Sequence, residues 1–342
     1  MGEIIQNNSD FLFLYEAILS NPNGDPDQEN RPRMDYDTKT NLVTDVRLKR
    51  FIRDYLRDKG EEIFVDMESD AKVSMDKKME AEVNKILSRR ENVEIIFEDN
   101  AVLKEKFLKL IPQSEENLFE NEEKKAEIFK KIKSDKELSS FILIQLVRKF
   151  FIDVRMFGSA FAVEGFKKPF TGAIQINWGY SLHPVELVKS DTIVTIMNDD
   201  ESTFGKDYRV YYSLIAFNGT INKNAATTTG LMKEDIAKFR DAIWNAIPAN
   251  PTRSKLNQYP KLYLEIVYNE NYSNGYFGDL RQYINVNVKK NENGEEVSIR
   301  KFSDLELDFT PLVNLINANK GEGKPIKEAV IKTSQDINLN LD

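Results

Sequence analysis

Asp25, Asp27, Asp35 and Asp37 form a cluster of hard oxygen ligands in a Pro- and Asn-rich stretch of this 342-residue chain. Mg²⁺ and Ca²⁺ want several carboxylate oxygens, so such a stretch could serve a metal-dependent nuclease. The spacing matches no calcium loop, however, and Arg31 and Arg33 lie inside it. The aspartates are therefore read as turn formers that neutralise these arginines. No metal, cofactor or catalytic residue is expected, and a nuclease built on Asp25, Asp35 and Asp37 stands as the alternative. His183 is the only histidine, sits before Pro184, and is read as structural. With no cysteine in the chain, thiolate zinc sites, disulfides and cysteine nucleophiles are excluded. The glycines form neither a G-x-x-x-x-G-K-[ST] loop nor a strand-to-helix G-x-G-x-x-G turn.

Cations remain. Arg31, Arg33, Lys49, Arg50 and Arg53 form one candidate strip, and Thr252-Arg253-Ser254-Lys255 forms another. Such groups neutralise phosphates, while Asn and Ser bond to backbone or sugar. The net charge of −8 argues against nucleic acid only if it is spread evenly. It is not: residues 58–137 carry 16 Lys/Arg against 22 Asp/Glu, whereas residues 31–57 carry 8 against 4. Screening within about 8 Å lets a local basic strip act despite a sequence pI near 5.2.

These groups need elements to hold them. FLFLYEAIL (11–19) reads as a buried strand, followed by a Pro-, Asn- and Asp-rich loop. A helix capped by Thr44 and ending before Gly60 carries Leu48, Phe51, Ile52, Tyr55 and Leu56 on one stripe. Residues 60–138 read as an inserted helical subdomain. Strand-like segments follow at 171–178 and 208–217, a second helix at 233–246 and a closing strand at 261–268. A hairpin around Asn293-Gly294 is expected to pair 283–288 with 297–302. Without the insert, the order is strand, helix, two strands, helix, strand: an α+β class, ferredoxin-like or RNA-recognition-motif core with long loop decorations. The expected division is a core of 1–59 and 139–310, the 60–138 insert, and a C-terminal tail of 311–342. The apolar run after Phe11 is interrupted by Glu16 and too short to span a membrane, so a cytoplasmic protein is expected.

NPNGDPDQENRPRMD followed by TNLVTDVRLKRFIRDYL resembles the start of the Cas-seven family, the backbone subunits of CRISPR Cascade complexes, type I-B above all. DVRMFG (153–158), TGAIQINWGYSLHPV (171–185), NGTINKNAATTTGL (218–231) and TRSKLNQYP (252–260) support the likeness. One departure is Asn41, where the family has glycine; Asn tolerates a left-handed backbone.

The resemblance implies a modified RNA-recognition fold that oligomerises along CRISPR guide RNA and leaves spacer bases free to pair with a target DNA strand in antiviral defence. The implied partners are guide RNA, target DNA, other copies of the chain, other Cascade subunits and a separate helicase-nuclease. The subunit itself is not an enzyme; an RNA-binding module that does not oligomerise is a further alternative. Carried over by position, Asn21, Asn23 and Gly24 lie in the loop after the first strand. Lys49 and Arg50 should meet guide phosphates. Met156, Phe157 and Gly158 form a hydrophobic turn near the RNA. Arg253, Ser254 and Lys255 form the basic loop before the last core strand. A thumb hairpin is expected at 194–209, with Ile196, Met197 and Phe204 as its wedge.

Overall fold

A computed structural model describes residues 2–65, 75–111, 122–163, 166–189, 192–198, 201–339 and 341, and the chain divides into two units. One unit comprises Gln6–Tyr55, Ile174–Lys223 and Ala237–Asp342. Its sheet runs, edge to edge, Ile326–Thr333, Gln258–Tyr268, Ser9–Ser20, Val210–Ile221, Gly179–Ser181, Thr40–Val43 and Met34–Asp35. Strand Ile174–Ile176 also pairs with Val210–Ile221, and every pairing is antiparallel.

Ser9–Ser20 is buried at almost every position, and apolar from Phe11 to Tyr15, because both of its faces are covered. Phe11, Phe13 and Tyr15 point to one face. There Phe13 lies opposite Phe217 and Tyr263, and Phe11 meets Phe239 of helix Lys233–Ala249 at 5.4 Å between ring centres. Helix Asp45–Asp58 buries the expected stripe from Leu48 to Leu56, and its Tyr55 hydroxyl donates to Asp241 at 2.8 Å. Leu12 and Leu14 point the other way, into a core with Leu264, Leu280, Leu312 and Ile316. The segments after Tyr268 therefore close this face of the sheet.

Residues 311–342 are no tail. They contain most of helix Thr310–Asn319, and strand Ile326–Thr333 pairs with Leu262–Tyr268 at the sheet's edge. The Asn293-Gly294 turn exists, with Gly294 at φ +80°, but closes only a bridge between Lys290 and Glu296. Asn285–Val288 pairs instead with Leu305–Asp308, because Ile299 turns inward against Tyr212 and Leu214. Asn41 is not left-handed either. It sits in strand Thr40–Val43, fully buried, and its amide donates to the Arg33 carbonyl at 2.9 Å.

The other unit comprises Met1–Ile5, Leu56–Ala173 and Asn224–Ile236, and is larger than residues 60–138. Its helices Met75–Leu87, Arg90–Phe97, Ala101–Leu108, Glu122–Ser134 and Lys136–Lys149 share one core with Phe151, Val154, Phe161, Phe166 and Phe170. The hairpin Gly158–Val163/Phe166–Thr171 belongs to that core. The Asp153 carboxylate accepts the backbone N–H groups of Phe64 and Val65, both at 2.9 Å. Arg155 and Asp235 form a buried two-pronged pair, each contact 2.8 Å.

Candidate nucleic-acid interface

Asn21 and Asn23 shape the loop after the first strand rather than reaching outward. The Asn21 amide donates to the Asn30 carbonyl at 2.8 Å, its N–H donates to the Ser254 carbonyl at 2.8 Å, and the residue is buried. Asn23 Oδ1 accepts both the backbone N–H and the hydroxyl of Thr44, each at 2.9 Å. Thr44 Oγ1 in turn caps Arg47 N–H at 3.2 Å, which starts helix Asp45–Asp58. Gly24 stands in close approach to the backbone: a Cβ there would lie 2.9 Å from the Asn30 carbonyl oxygen. Together these contacts hold the loop against the helix N-terminus and against residues 252–257.

Two of the four aspartates of this loop, Asp25 and Asp35, are held by neighbours within it. Asp25 pairs with Arg33 at 3.2 Å, and Asp35 accepts from Thr38 Oγ1 at 2.8 Å and Asp37 N–H at 3.1 Å. The Thr38 hydroxyl and those backbone N–H groups hold the Asp35 carboxyl below the usual carboxylate range. Among the described residues no group of three or more Asp, Glu or His could hold a metal ion.

The cations fall into two kinds. Lys49 pairs with Asp45 at 2.9 Å and Arg50 with Asp54 at 2.7 Å, both one helical turn apart. Arg53 lies half-buried on the same helix. Arg31 lies over the Tyr208 ring at 4.6 Å, and Glu29 accepts from Tyr208 Oη and Lys206 Nζ, each at 2.8 Å. That network ties the Asn-rich loop to the hairpin Thr192–Asn198/Glu201–Lys206. Arg209 bonds the carbonyls of Leu19 and Arg253 at 2.8 and 3.2 Å, while Arg253 pairs with Asp207 at 3.2 Å and stays largely exposed. Lys255 Nζ donates to the Asn21 carbonyl. Burial and the nearby Arg47 charge push Lys255 down to about 7.

The structure thus brings together Asn21, Asn23, Gly24, Arg31, Arg33, Arg253, Ser254 and Lys255 in one loop cluster beside the start of the helix. Met156 and Phe157 belong to the other unit. Both are buried, and Gly158 (φ +79°) lets the chain pass Gly172, whose added Cβ would lie 2.4 Å from Gly158 N. Their side chains pack a core and offer no surface to a nucleotide. The side chains of Ile196, Met197 and Phe204 lie outside the described residues. Sequence reading missed Arg47, Lys206, Tyr208 and Arg209. Arg47 could have been found from its spacing to Phe51, one helical turn on, where its guanidinium lies 4.0 Å above the ring.

The chain matches the family of CRISPR-associated protein Cas7 over residues 7–310. It is 27% identical over 333 residues to the CRISPR-associated protein Cas7 of Haloferax volcanii, covering 91% of this chain and 83% of that one. Among solved structures it is similar to a chain of a CRISPR RNA-guided surveillance complex, pre-nicking (TM-score 0.45, 14% identity, 78% and 80% covered). Another is a chain of a CRISPR RNA-guided surveillance complex (TM-score 0.40, 12% identity, 79% and 78% covered). The family match spans most of the length and contains both the Asn-rich loop and the basic loop: this chain belongs to the Cas7 family.

Proposed function

We propose that this chain is a guide-RNA-binding backbone subunit of a type I-B Cascade complex, oligomerising along CRISPR RNA and presenting the spacer to target DNA. The observation that carries this reading is family membership across residues 7–310. Three features of the fold support it. The central strands order as fourth, first, third and second of a strand–helix–strand–strand–helix–strand chain, all antiparallel, as in a modified RNA-recognition motif. The closed sheet face leaves the cationic loop cluster to hold RNA through its backbone. Among the described residues the hairpin Thr192–Asn198/Glu201–Lys206 pairs with no other strand, which suits a thumb that crosses the guide.

The subunit is not an enzyme in this reading: of the carboxylates a nuclease would use, Asp25 is paired with Arg33 and Asp35 accepts from Thr38 within the loop. Its partners are guide RNA, further copies of itself, other Cascade subunits, the target strand and a separate helicase-nuclease, in the cytoplasm. Among the described residues no helix is long and apolar enough to cross a membrane. The test is co-expression with the neighbouring operon genes and sequencing of the co-purified nucleic acid. RNA of one discrete length carrying repeat sequence is expected. Mg²⁺-dependent cleavage by the purified chain, or heterogeneous RNA bound to a monomer, would overturn it.

A further inference from the structure

The strand Ile326–Thr333 ends the sheet on one side. Its inner side pairs with Leu262–Tyr268. Beyond a single bridge from Lys320 to Ile326, no strand pairs with its outer side among the described residues. The opposite edge of the sheet, Met34–Asp35, is two residues long. An open edge is a template for a further strand, and lysines on it normally discourage one. Here Lys327, Glu328 and Lys332 are exposed, while Ala329, Val330 and Ile331 are half-buried. Lys327 is the extra residue of a bulge, since Val267 faces Glu328 and Tyr268 faces Ile326. The regular part of the edge therefore reads Glu-Ala-Val-Ile-Lys from Glu328 to Lys332.

That segment is complementary to itself. Successive residues of a strand direct their N–H and C=O groups alternately to its two sides, so residues opposed across an antiparallel joint both point outward or both inward. Two copies can then meet only in registers that set one residue opposite itself on the two-fold axis. Centring the joint on Ala329 or on Ile331 sets Val330 against a charge. Centring it on Val330 sets Glu328 against Lys332 twice and Ala329 against Ile331 twice. Opposed unlike charges stabilise such a joint, and like charges destabilise it. Glu328, Val330 and Lys332 share the face of Glu265, where Lys332 lies 5.0 Å from the centre of the Trp244 ring, so the two ion pairs flank the valine pair. We propose that, free of RNA, two copies of this chain join edge to edge through Ile326–Thr333, antiparallel, with Val330 on the axis and Glu328 of each copy against Lys332 of the other. The joint stands apart from the RNA-binding reading. Copies in a row along a strand repeat a head-to-tail contact, whereas a two-fold contact closes after two copies.

The experiment uses the full chain without RNA. The sequence holds no cysteine, so a single introduced thiol reports its own neighbour. Val330→Cys should oxidise to a symmetric dimer, because opposed Cα atoms lie about 4.5–5.5 Å apart, within disulfide reach. Ala329→Cys, which does not oppose itself, should cross-link about tenfold more slowly. In sedimentation, Glu328→Lys and Lys332→Glu should each weaken the dimer about tenfold, since each sets two like-charged pairs in the joint. Mixing the two variants should restore it, because every opposed pair is then of unlike charge. A monomeric wild-type chain whose Val330→Cys variant yields no dimer overturns the joint. Equal cross-linking by Ala329→Cys, or a dimer that survives both charge reversals, does the same. Hydrogen exchange that slows at 327–333 only once the other operon products are added gives the edge to a foreign strand, and that too overturns the proposal.

Discussion

At His183 the imidazole bridges two backbone groups: Nδ1 lies 2.8 Å from the Pro184 carbonyl, and Nε2 accepts Leu214 N–H at 3.1 Å. Those contacts require the neutral ring with its proton on Nδ1, and burial pushes the group below its usual 6.5. The unfolded chain takes up a proton that the folded chain resists, so the stabilising contribution is present above about pH 6.5 and is lost as pH falls through the folded value. Urea melts at pH 7.5, 6.5 and 5.5 should show wild-type stability dropping by up to about 1.4 kcal/mol per pH unit from this group. His183→Gln should be weaker by about 1 kcal/mol at pH 7.5 yet flatter with pH. Parallel pH profiles for the two proteins would count against the assignment. The structural reading of this histidine followed from one local signal, the adjacent proline. Arg47 shows the reverse: seven other cations share residues 31–57, and composition cannot tell a paired one from an unpaired one. That distinction depends on which carboxylate stands one helical turn away. Lys49 has Asp45 and Arg50 has Asp54 at that spacing, whereas Arg47 has Phe51.

Elements with a single strong period were legible in the sequence. The stripe from Leu48 to Leu56 specified its helix, and the apolar run from Phe11 specified a strand covered on both sides. What covers the second side was hidden, because Leu280, Leu312 and Ile316 come from short, far-downstream segments with weak periods of their own. The boundary of the helical unit was hidden for the same reason. Ile142, Leu146, Phe151 and Phe170 join its core, though they lie beyond residue 138. Excising residues 60–138 therefore removes Phe97, Phe107 and Ile132 from a core whose remainder stays behind. The truncated chain should lose cooperative unfolding of this unit, seen as dye binding and a missing thermal transition; an intact transition would show that the remaining segments fold alone. The hairpin Thr192–Asn198/Glu201–Lys206 behaves oppositely. It forms its own two-stranded sheet, so replacing residues 192–205 with a Gly/Ser linker should shift Tm by only a few degrees. Chemical probing of guide RNA bound to that variant should lose the regular spacing of reactive bases. Preserved spacing would assign the thumb to another element.

Over the whole molecule, the charge distribution separates what net charge governs from what contacts govern. The acidic excess lies in residues 58–137, and the cationic loop cluster lies elsewhere in the sequence. Binding to a strand releases one set of counter-ions per neutralised phosphate, so the salt slope counts contacts and is indifferent to total charge. Exposed acids beyond a Debye length act only through a screened field. Changing Glu91, Glu105, Glu127 and Glu137 to Gln would remove four negative charges from exposed helical positions. Pairs such as Glu105–Lys109 and Glu127–Lys131 are solvent-exposed and contribute roughly 0–1 kcal/mol each, so the fold should persist. The affinity of this variant for single-stranded RNA should lie within about threefold of wild type, with the log–log salt slope unchanged. Two unrelated RNA sequences of equal length should also bind within about threefold of each other, because phosphate contacts carry no sequence information. The measurement is fluorescence anisotropy across a series of salt concentrations. A steeper slope in the variant would place the acidic helices among the RNA contacts. A large preference for one sequence would mean that base edges, not the backbone, are being read.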